Sequence, residues 1–572
     1  MGDASIVLAG AAGQGIETVA DFLATVIKLS GYNVFATREV MSRIRGGTNS
    51  IQLRVSETEV GSYALKSDII VALTKDSLPH LEKYGRVSNK SVIVGEKEVI
   101  ATIKKPKDRL FTVPFNDLAQ KAGGRIYANT VAAGALAQLF NVSDDIAHNF
   151  IQRNFGAKGE KVVQQNIVAY KKGKEYGKKL VEDNRIKFDI KSDENTIEKL
   201  LLSGTEAVAI GALAAGCNFV SSYPMSPSTG VLTFLARKAK KFGVVIDQAE
   251  DEIAAINKGL GAWYAGARAI VTTSGGGLAL MTEGLSLSGM LENPIVIHLA
   301  QRPAPATGLP TRTEQGDLMF AINTAHGEFP RVIYAPGNPQ DAFHLTVKAF
   351  DVADSFQIPV IILTDQYLLD SLFTSVPIDL EAAKYMKHFV KTDNEYKRYK
   401  FTKSGVSPRG IPGYGEGLIG VDSDEHDEEG HITEDLNLRV RMVDKRLHKK
   451  LEVLRKDSLE PELYGRDQYD TLVVAWGTNY YGVDEAIHRL GNEEVSMLYF
   501  KQVFPLNSAT LDYLKKANTV LSLENNATGQ FARLIELETG FRIPDENILL
   551  KYDGLPFPVE QIQGFIEEAW RR

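Results

Sequence analysis

Short apolar runs of strand length alternate with helix-patterned segments along most of this 572-residue chain, which confines it to layered α/β architecture. The alternation occurs three times. In residues 1–190 the strand Ser5–Gly10 enters a glycine turn, GAAGQG (10–15), and a helix pattern runs from Ile16 to a C-capping Gly31. Strands are expected at 51–56, 68–74 and 91–95, a helix at 129–140 and a basic amphipathic run at 158–181. Charged residues 182–195 read as a linker. Residues 197–380 repeat the pattern, with strands expected at 218–224, 243–247, 268–274, 294–300, 331–335 and 358–364. Residues 469–572 repeat it again, with strands at 471–477, 495–501 and 519–524 and a helix at 482–491. Between the last two, residues 381–468 are rich in Lys, Asp and Glu and lack any period, so a long surface excursion is expected. The fold class is α/β, with three doubly wound or Rossmann-like domains.

Composition narrows the function. A net charge of -7 argues against nucleic acid as a partner. No apolar run approaches the ~18 residues of a membrane span, and the N-terminus reads as a strand instead of a signal peptide. A cytoplasmic enzyme without membrane association is expected. The single cysteine, Cys217, cannot ligate an iron–sulfur cluster or close a disulfide within the chain. Any redox metal must therefore lie on another polypeptide, and Cys217 is expected to be a small buried side chain.

Several motifs carry chemistry. GAAGQG, with Gly13 and Gly15, can hold an anion on backbone N–H groups or simply make a tight turn. Ser42, Arg43 and Arg45 in SRIRGGTNS (42–50) suit phosphate or carboxylate, with a solvated turn as the alternative. At YPMSPSTG (223–230) two prolines stiffen the turn after a strand and offer hydroxyls at defined places, at the sheet edge where α/β folds bind ligands. Glu250, Asp251 and Glu252 then open an Ala/Gly-rich helix in QAEDEIAAI (248–256), where the helix dipole alone would favour acids. The strand after that helix ends in TTSGGG (272–277).

YPMSPSTG, QAEDEIAAI, TTSGGG, QRPAPATGLPTRTEQGDL (301–318) and HGEFPR (326–331), in this order, resemble the α subunit of the 2-oxoacid:ferredoxin oxidoreductases of bacteria and archaea. The N-terminal segment is similar to that family's γ domain, here fused in front. SDEHDEEGHITED (423–435), LENNATGQFARLI (523–535) and KYDGLPF (551–557) also fit. One departure is Met225-Ser226, where the family usually has Ile-Thr, which bears on substrate preference more than on cofactor use. The resemblance implies a γ-like domain at 1–190, a thiamine-diphosphate pyrimidine-binding domain at 197–380 and a transketolase C-terminal-like domain at 469–572. It implies CoA-dependent oxidative decarboxylation of a 2-oxoacid such as 2-oxoglutarate or pyruvate, or the reverse carboxylation. Glu250 is expected to meet the aminopyrimidine ring, with Glu252 in reserve. Arg312 is the candidate for the substrate carboxylate, with Ser226 alongside, while an ion pair with Glu314 or an interface contact is the structural alternative. Tyr223, Pro224, Ser226, Thr273 and Ser274 are expected around the cofactor, and CoA or another anion at Gly13, Gly15, Ser42, Arg43 and Arg45.

A diphosphate–Mg²⁺ site needs oxygen ligands of the Gly-Asp-Gly kind, and the chain offers only Gly316-Asp317-Leu318. No metal site is expected on this chain. Mg²⁺ and a [4Fe–4S] cluster are expected on a β chain, with ferredoxin as acceptor, in a heterodimer or a dimer of heterodimers. The rival reading is a non-catalytic assembly subunit with a degenerate thiamine-like domain.

Overall fold

The computed structural model describes residues 2–12, 15–42, 47–182, 186 and 188–572. They form two compact units. The first comprises residues up to 203 together with 370–377 and 558–560, and the second the remainder.

The first unit holds an eight-stranded mixed sheet. Strands Asp3–Ala11, Ile69–Ala72, Val92–Gly95 and Leu110–Thr112 run parallel. On the other side of Asp3–Ala11 the sheet continues antiparallel through Thr48–Ser56, Asn33–Glu39, Leu372–Ser375 and Leu200–Ser203. The last two strands lie outside the 1–190 segment, because the edge strand Asn33–Glu39 offers a free hydrogen-bonding side that they complete. One face packs on helices Ile16–Lys28, Ala128–Ala137 and Glu160–Glu182. The latter two helices touch through glycine: a methyl built on Gly173 would stand 1.9 Å from the Val131 carbonyl oxygen, and one on Gly134 2.1 Å from that of Tyr170. Strand Thr48–Ser56 alternates apolar Ile51, Leu53 and Val55 with polar Ser50, Gln52 and Arg54, yet all are buried. The segment around Ser62–Ala64 covers the polar face and supplies its partners, Arg54 binding Ser62 and Gln52 binding the Ala64 backbone.

The second unit contains a seven-stranded sheet and a five-stranded sheet. The larger is parallel except at one edge, in the order Val332–Tyr334, Pro359–Asp365, Ile295–Gln301, Ala269–Thr273, Phe219–Ser222, Val245–Gln248. All six correspond to strands expected from the sequence; the buried ones read as apolar runs because both of their faces are covered, while Val245–Gln248 is a largely exposed edge. The antiparallel edge strand Gln502–Phe504, only three residues long, carried no such signal. The smaller sheet joins Val495–Phe500, Thr471–Trp476, Thr519–Glu524 and Ile548–Leu550 in parallel, with Glu462–Tyr464 antiparallel at the edge.

Residues 378–435 have almost no regular structure, as expected of the excursion, but 436–456 form a continuous helical run with a π turn at Asp444–Lys449. The excursion is fastened by buried charge. Lys445 and Lys450 each place Nζ 2.5 Å from the Glu292 carboxylate, holding it at a depressed pKa despite full burial. Arg398 donates to the Leu291 and Glu292 carbonyls, and buried His426 stacks on Tyr399 at 3.8 Å. The acidic stretch around His426 is tied up locally: Glu425 is forked by Arg446, and Asp427 accepts the backbone N–H groups of Glu429, Gly430 and His431. Among the described residues no helix is long and apolar enough to cross a membrane.

Candidate active site

The strand order of the large sheet reverses between Phe219–Ser222 and Ala269–Thr273: one leads outward to Val245–Gln248, the other to Ile295–Gln301. Loops leaving two such strands at their C-terminal ends part in opposite directions, and the crevice between them is where doubly wound sheets bind ligands. The segments here are the proline turn 223–228 and the glycine turn 274–277, the latter being the N-cap and first residues of helix Gly275–Leu280. They meet, since a methyl built on Gly276 would stand 4.0 Å from Met225 Sδ.

Two buried carboxyls point at the glycine turn. A methyl on Gly277 would lie 2.8 Å from Glu252 Oε1, and one on Gly275 2.5 Å from Asp317 Oδ2. Among the described residues, Glu252 Oε1, Asp317 Oδ2 and Ser274 Oγ are buried without a hydrogen-bond partner. Three orphaned polar atoms around one backbone turn are a costly arrangement in the free chain and mark a place where a polar ligand completes the bonding. Thr273 is buried beside them, its Oγ1 lying 2.0 Å from a methyl built on Gly277. Gly275 and Gly277 therefore let Asp317, Thr273 and Glu252 close on the turn, where any side chain would collide with them.

The three consecutive acids fall in three different environments. Asp251 caps helix Glu252–Tyr264, its Oδ1 accepting the Ala254 N–H at 2.7 Å. Glu252 follows it onto the buried face and is 3% exposed. Glu250 precedes the cap, its side chain is 69% exposed, and it pairs with Lys258 Nζ at 3.0 Å. Its pKa is held below the ordinary carboxylate value by its own backbone N–H and by that lysine. The structure thus puts Glu252, and not Glu250, against the glycine turn.

A similar exchange occurs among the arginines. Arg302 donates from Nη1 to the Ser226 carbonyl at 2.7 Å, joining the loop 301–318 to the proline turn. Arg312 lies farther along that loop, where a methyl built on Gly554 would stand 3.1 Å from its Cβ. Position 302, the first residue after a parallel strand's C-terminus, is where a side chain reaches the crevice, and sequence reasoning passed over it. Burial and the neighbouring Asp317 push Glu314 up to about 7, and burial pushes Asp317 up to about 6 although Arg302 opposes the rise. Tyr223 is partly exposed at the mouth of the proline turn, while Ser228 is buried and bonds the Met225 carbonyl.

The loop carrying these groups is clasped by the smaller sheet. The Gln315 N–H donates to the Asn525 carbonyl at 2.7 Å, and its side chain bridges the Trp476 carbonyl, Asn479 and the Asn525 N–H. Gln530 grips both sides of Asp317: its Oε1 accepts the Met319 N–H at 2.9 Å and its Nε2 donates to the Gly316 carbonyl at 2.7 Å. Glu524 and Asn526 hold the hook in shape, accepting the N–H groups of Phe531 and Ala532 and of Thr528 and Gly529. LENNATGQFARLI is therefore a device for fixing the loop 315–319, and KYDGLPF adds the Gly554 carbonyl to the Thr313 N–H.

Comparison with known proteins identifies the family. A family model described as pyruvate flavodoxin/ferredoxin oxidoreductase, thiamine diP-binding, matches residues 210–445, and one described as pyruvate ferredoxin/flavodoxin oxidoreductase matches 5–176. The 2-oxoacid:ferredoxin oxidoreductase subunit alpha of Sulfolobus sp is 30% identical over 98% of this chain and 96% of its own length. The chain belongs to the 2-oxoacid:ferredoxin oxidoreductase family, as an α subunit. The solved 2-oxoglutarate:ferredoxin oxidoreductase from Magnetococcus marinus with 2-oxoglutarate, coenzyme A and succinyl-CoA bound superposes with a TM-score of 0.91. It is 30% identical, and the match covers 99% of both chains. The 2-oxoglutarate oxidoreductase subunit KorA of Mycobacterium tuberculosis is 27% identical over 98% of this chain and 90% of its own.

Within this family member the first family model's span encloses the proline turn, Glu252, the glycine turn and the loop 301–318 together. The second lies in the first unit, which has its own cavity of about 600 Å³. Gly15, Arg125, Asn129, Thr130, Lys158 and Asn166 line it. Of the anion candidates read from the sequence, Gly15 lines this cavity and Ser42 does not; Gly13, Arg43 and Arg45 lie outside the described residues.

Proposed function

We propose that this chain supplies the aminopyrimidine half of a thiamine-diphosphate site, in a complex that oxidatively decarboxylates a 2-oxoacid to an acyl-CoA and CO₂ and passes the electrons to ferredoxin. The observation that carries this reading is the buried, unpartnered Glu252 Oε1 facing a glycine turn at the switch point of a parallel sheet. A ring that accepts and donates hydrogen bonds suits these groups, because Glu252 and Ser274 have bonding capacity to spare. When bound, thiamine diphosphate supplies the nucleophilic carbon for decarboxylation and holds the released electrons.

The chain's own residues then have separable tasks. Glu252 holds a proton between its Oε1 and a ring nitrogen, in a water-poor setting that strengthens the bond. Arg302, tied to the proline turn beside Ser226, pairs with the carboxylate of the 2-oxoacid, a planar anion that suits a guanidinium fork. Glu250 and Arg312 are assigned no contact with reactants. CoA is assigned to the 600 Å³ cavity of the first unit, where Arg125 and Lys158 suit phosphates and the open volume suits an adenosine. Mg²⁺, the diphosphate and a [4Fe–4S] cluster are assigned to a β partner, because one cysteine and no Gly-Asp-Gly leave this chain without ligands for them. A cytoplasmic heterodimer, or a dimer of heterodimers, is the assembly that fits.

The test is hydrogen–deuterium exchange at thiamine C2 in the assembled complex. Glu252→Gln should slow it by ~10²–10⁴, whereas Glu250→Gln should leave it nearly unchanged. The reverse pattern returns the role to Glu250, and normal exchange in both variants points to an assembly subunit.

A further inference from the structure

A second cavity, of about 280 Å³, lies at the other end of the strands that carry the crevice. Asn218 and Arg268 stand just before strands Phe219–Ser222 and Ala269–Thr273, and the excursion folds over them with Tyr385, Lys387, Phe389 and Arg409. Strands of four and five residues separate the two places by about 13–17 Å, so this cavity is not part of the thiamine crevice.

Its chemistry is cationic. Buried Asp354 is shared by two buried arginines, with Oδ2 2.6 Å from Arg268 Nη1 and Oδ1 bonded by Arg409 Nη2. Arg268 Nη1 also donates to the Met386 carbonyl at 3.1 Å, and Arg409 Nη1 to that of Trp263 at 3.1 Å. Among the described residues, Nε and Nη2 of Arg268 and Nε of Arg409 remain without a partner. Nε and Nη2 form the guanidinium edge whose two parallel N–H groups match both oxygens of a carboxylate or phosphate. The rings of Trp263, Phe350 and Tyr385, 5.8, 5.6 and 5.2 Å from the guanidinium carbon, fix its plane.

The charge count points the same way. Arg268, Arg409 and exposed Lys387 face one carboxylate, Asp354; the other nearby acid, Asp351, is held by His388 Nε2 at 2.8 Å. Burial lowers the pKa of both arginines although Asp354 opposes it, so the existing anion does not offset their desolvation. Unpartnered N–H groups on a buried cation are costly until an acceptor meets them.

We propose that this cavity binds a small oxyanion, a phosphate ester or a short polycarboxylate, held by the charges of Arg268 and Arg409, with Lys387 at its mouth. The volume admits such an anion and is too small for CoA.

Titration calorimetry of the complex loaded with thiamine diphosphate and CoA reads binding at this cavity. Inorganic phosphate and malonate are the probes, each against sodium chloride of equal ionic strength. Saturable binding of phosphate, malonate or both is expected, and which of them binds identifies the oxyanion. Lys387→Glu, at an exposed position, should raise the dissociation constant at least about tenfold. Heat no greater than that given by chloride, or an equal dissociation constant in Lys387→Glu, overturns the proposal.

Discussion

Asp317→Asn isolates the energetic consequence of burying a carboxyl against the glycine turn. Burial moves the Asp317 pKa from an ordinary 3.8 to about 6, with Arg302 restraining the rise. A rise of that size corresponds to about 3 kcal/mol between the two protonation states. The folded chain therefore binds the proton more tightly than the unfolded chain. The contribution is fully present below the unfolded pKa and is lost as pH rises through about 6. Asparagine has nothing to ionise, so the variant should lack this loss. Whatever fixed offset the amide introduces at pH 4, the variant should gain on the wild type by up to about 3 kcal/mol between pH 4 and pH 7.5. The assay is urea unfolding of the chain alone, followed by tryptophan fluorescence. Trp263, Trp476 and Trp570, the chain's three tryptophans, all belong to the second unit, so the signal reports the unit that contains Asp317. Curves of stability against pH that run parallel for the two proteins would refute the reasoning and show Asp317 to be solvated.

Further outcomes follow from the same geometry. Gln530→Ala removes the acceptor of the Met319 N–H, so amide exchange at Met319 should accelerate and the second unit should lose about 1–3 kcal/mol; unchanged protection would mean the clasp does not hold the loop. Arg302→Lys keeps the charge but loses the fork, and should lower kcat/KM for the 2-oxoacid roughly 10- to 150-fold. Arg312→Lys should leave it close to the wild-type value, and the opposite ranking would restore Arg312 as the substrate arginine. Gly277→Ala drives a methyl to 2.8 Å from Glu252 Oε1 and should weaken thiamine diphosphate binding in the complex, measured by tryptophan quenching.

Much of this was legible in the sequence where burial is two-sided. Val271, Ile297 and Ile361 sit in strands covered on both faces, and such runs declare themselves without an alignment. Strand Asn33–Glu39 was missed because NVFATRE mixes apolar and charged residues, and Leu200–Ser203 and Leu372–Ser375 because four-residue strands carry little pattern. The crevice was legible as a set of motifs, but not its inward-facing members. Three acids in a row look alike in composition, and what separates them is helix register. Glu252 shares a stripe with Ala255, Ile256, Gly259 and Trp263, all buried, while Glu250 precedes the cap. Counting i, i+3, i+4, i+7 from each acid would have selected Glu252. The excursion hid its anchors for the opposite reason. Lys445, Lys450 and Arg409 look like solvated charges in sequence, and only the buried Glu292 and Asp354 opposite them reveal otherwise.

The central claim is that this chain holds the aminopyrimidine half of the site and neither the diphosphate ligands nor the electron carrier. The most direct measurement is CoA-dependent reduction of a viologen by 2-oxoglutarate and by pyruvate, with thiamine diphosphate and Mg²⁺ in excess, for the chain alone and for its complex with an iron–sulfur-bearing partner. The account predicts no turnover by the chain alone and turnover by the complex, reduced by ~10²–10⁴ in Glu252→Gln. Turnover by the lone chain, or a complex indifferent to Glu252→Gln, would contradict it.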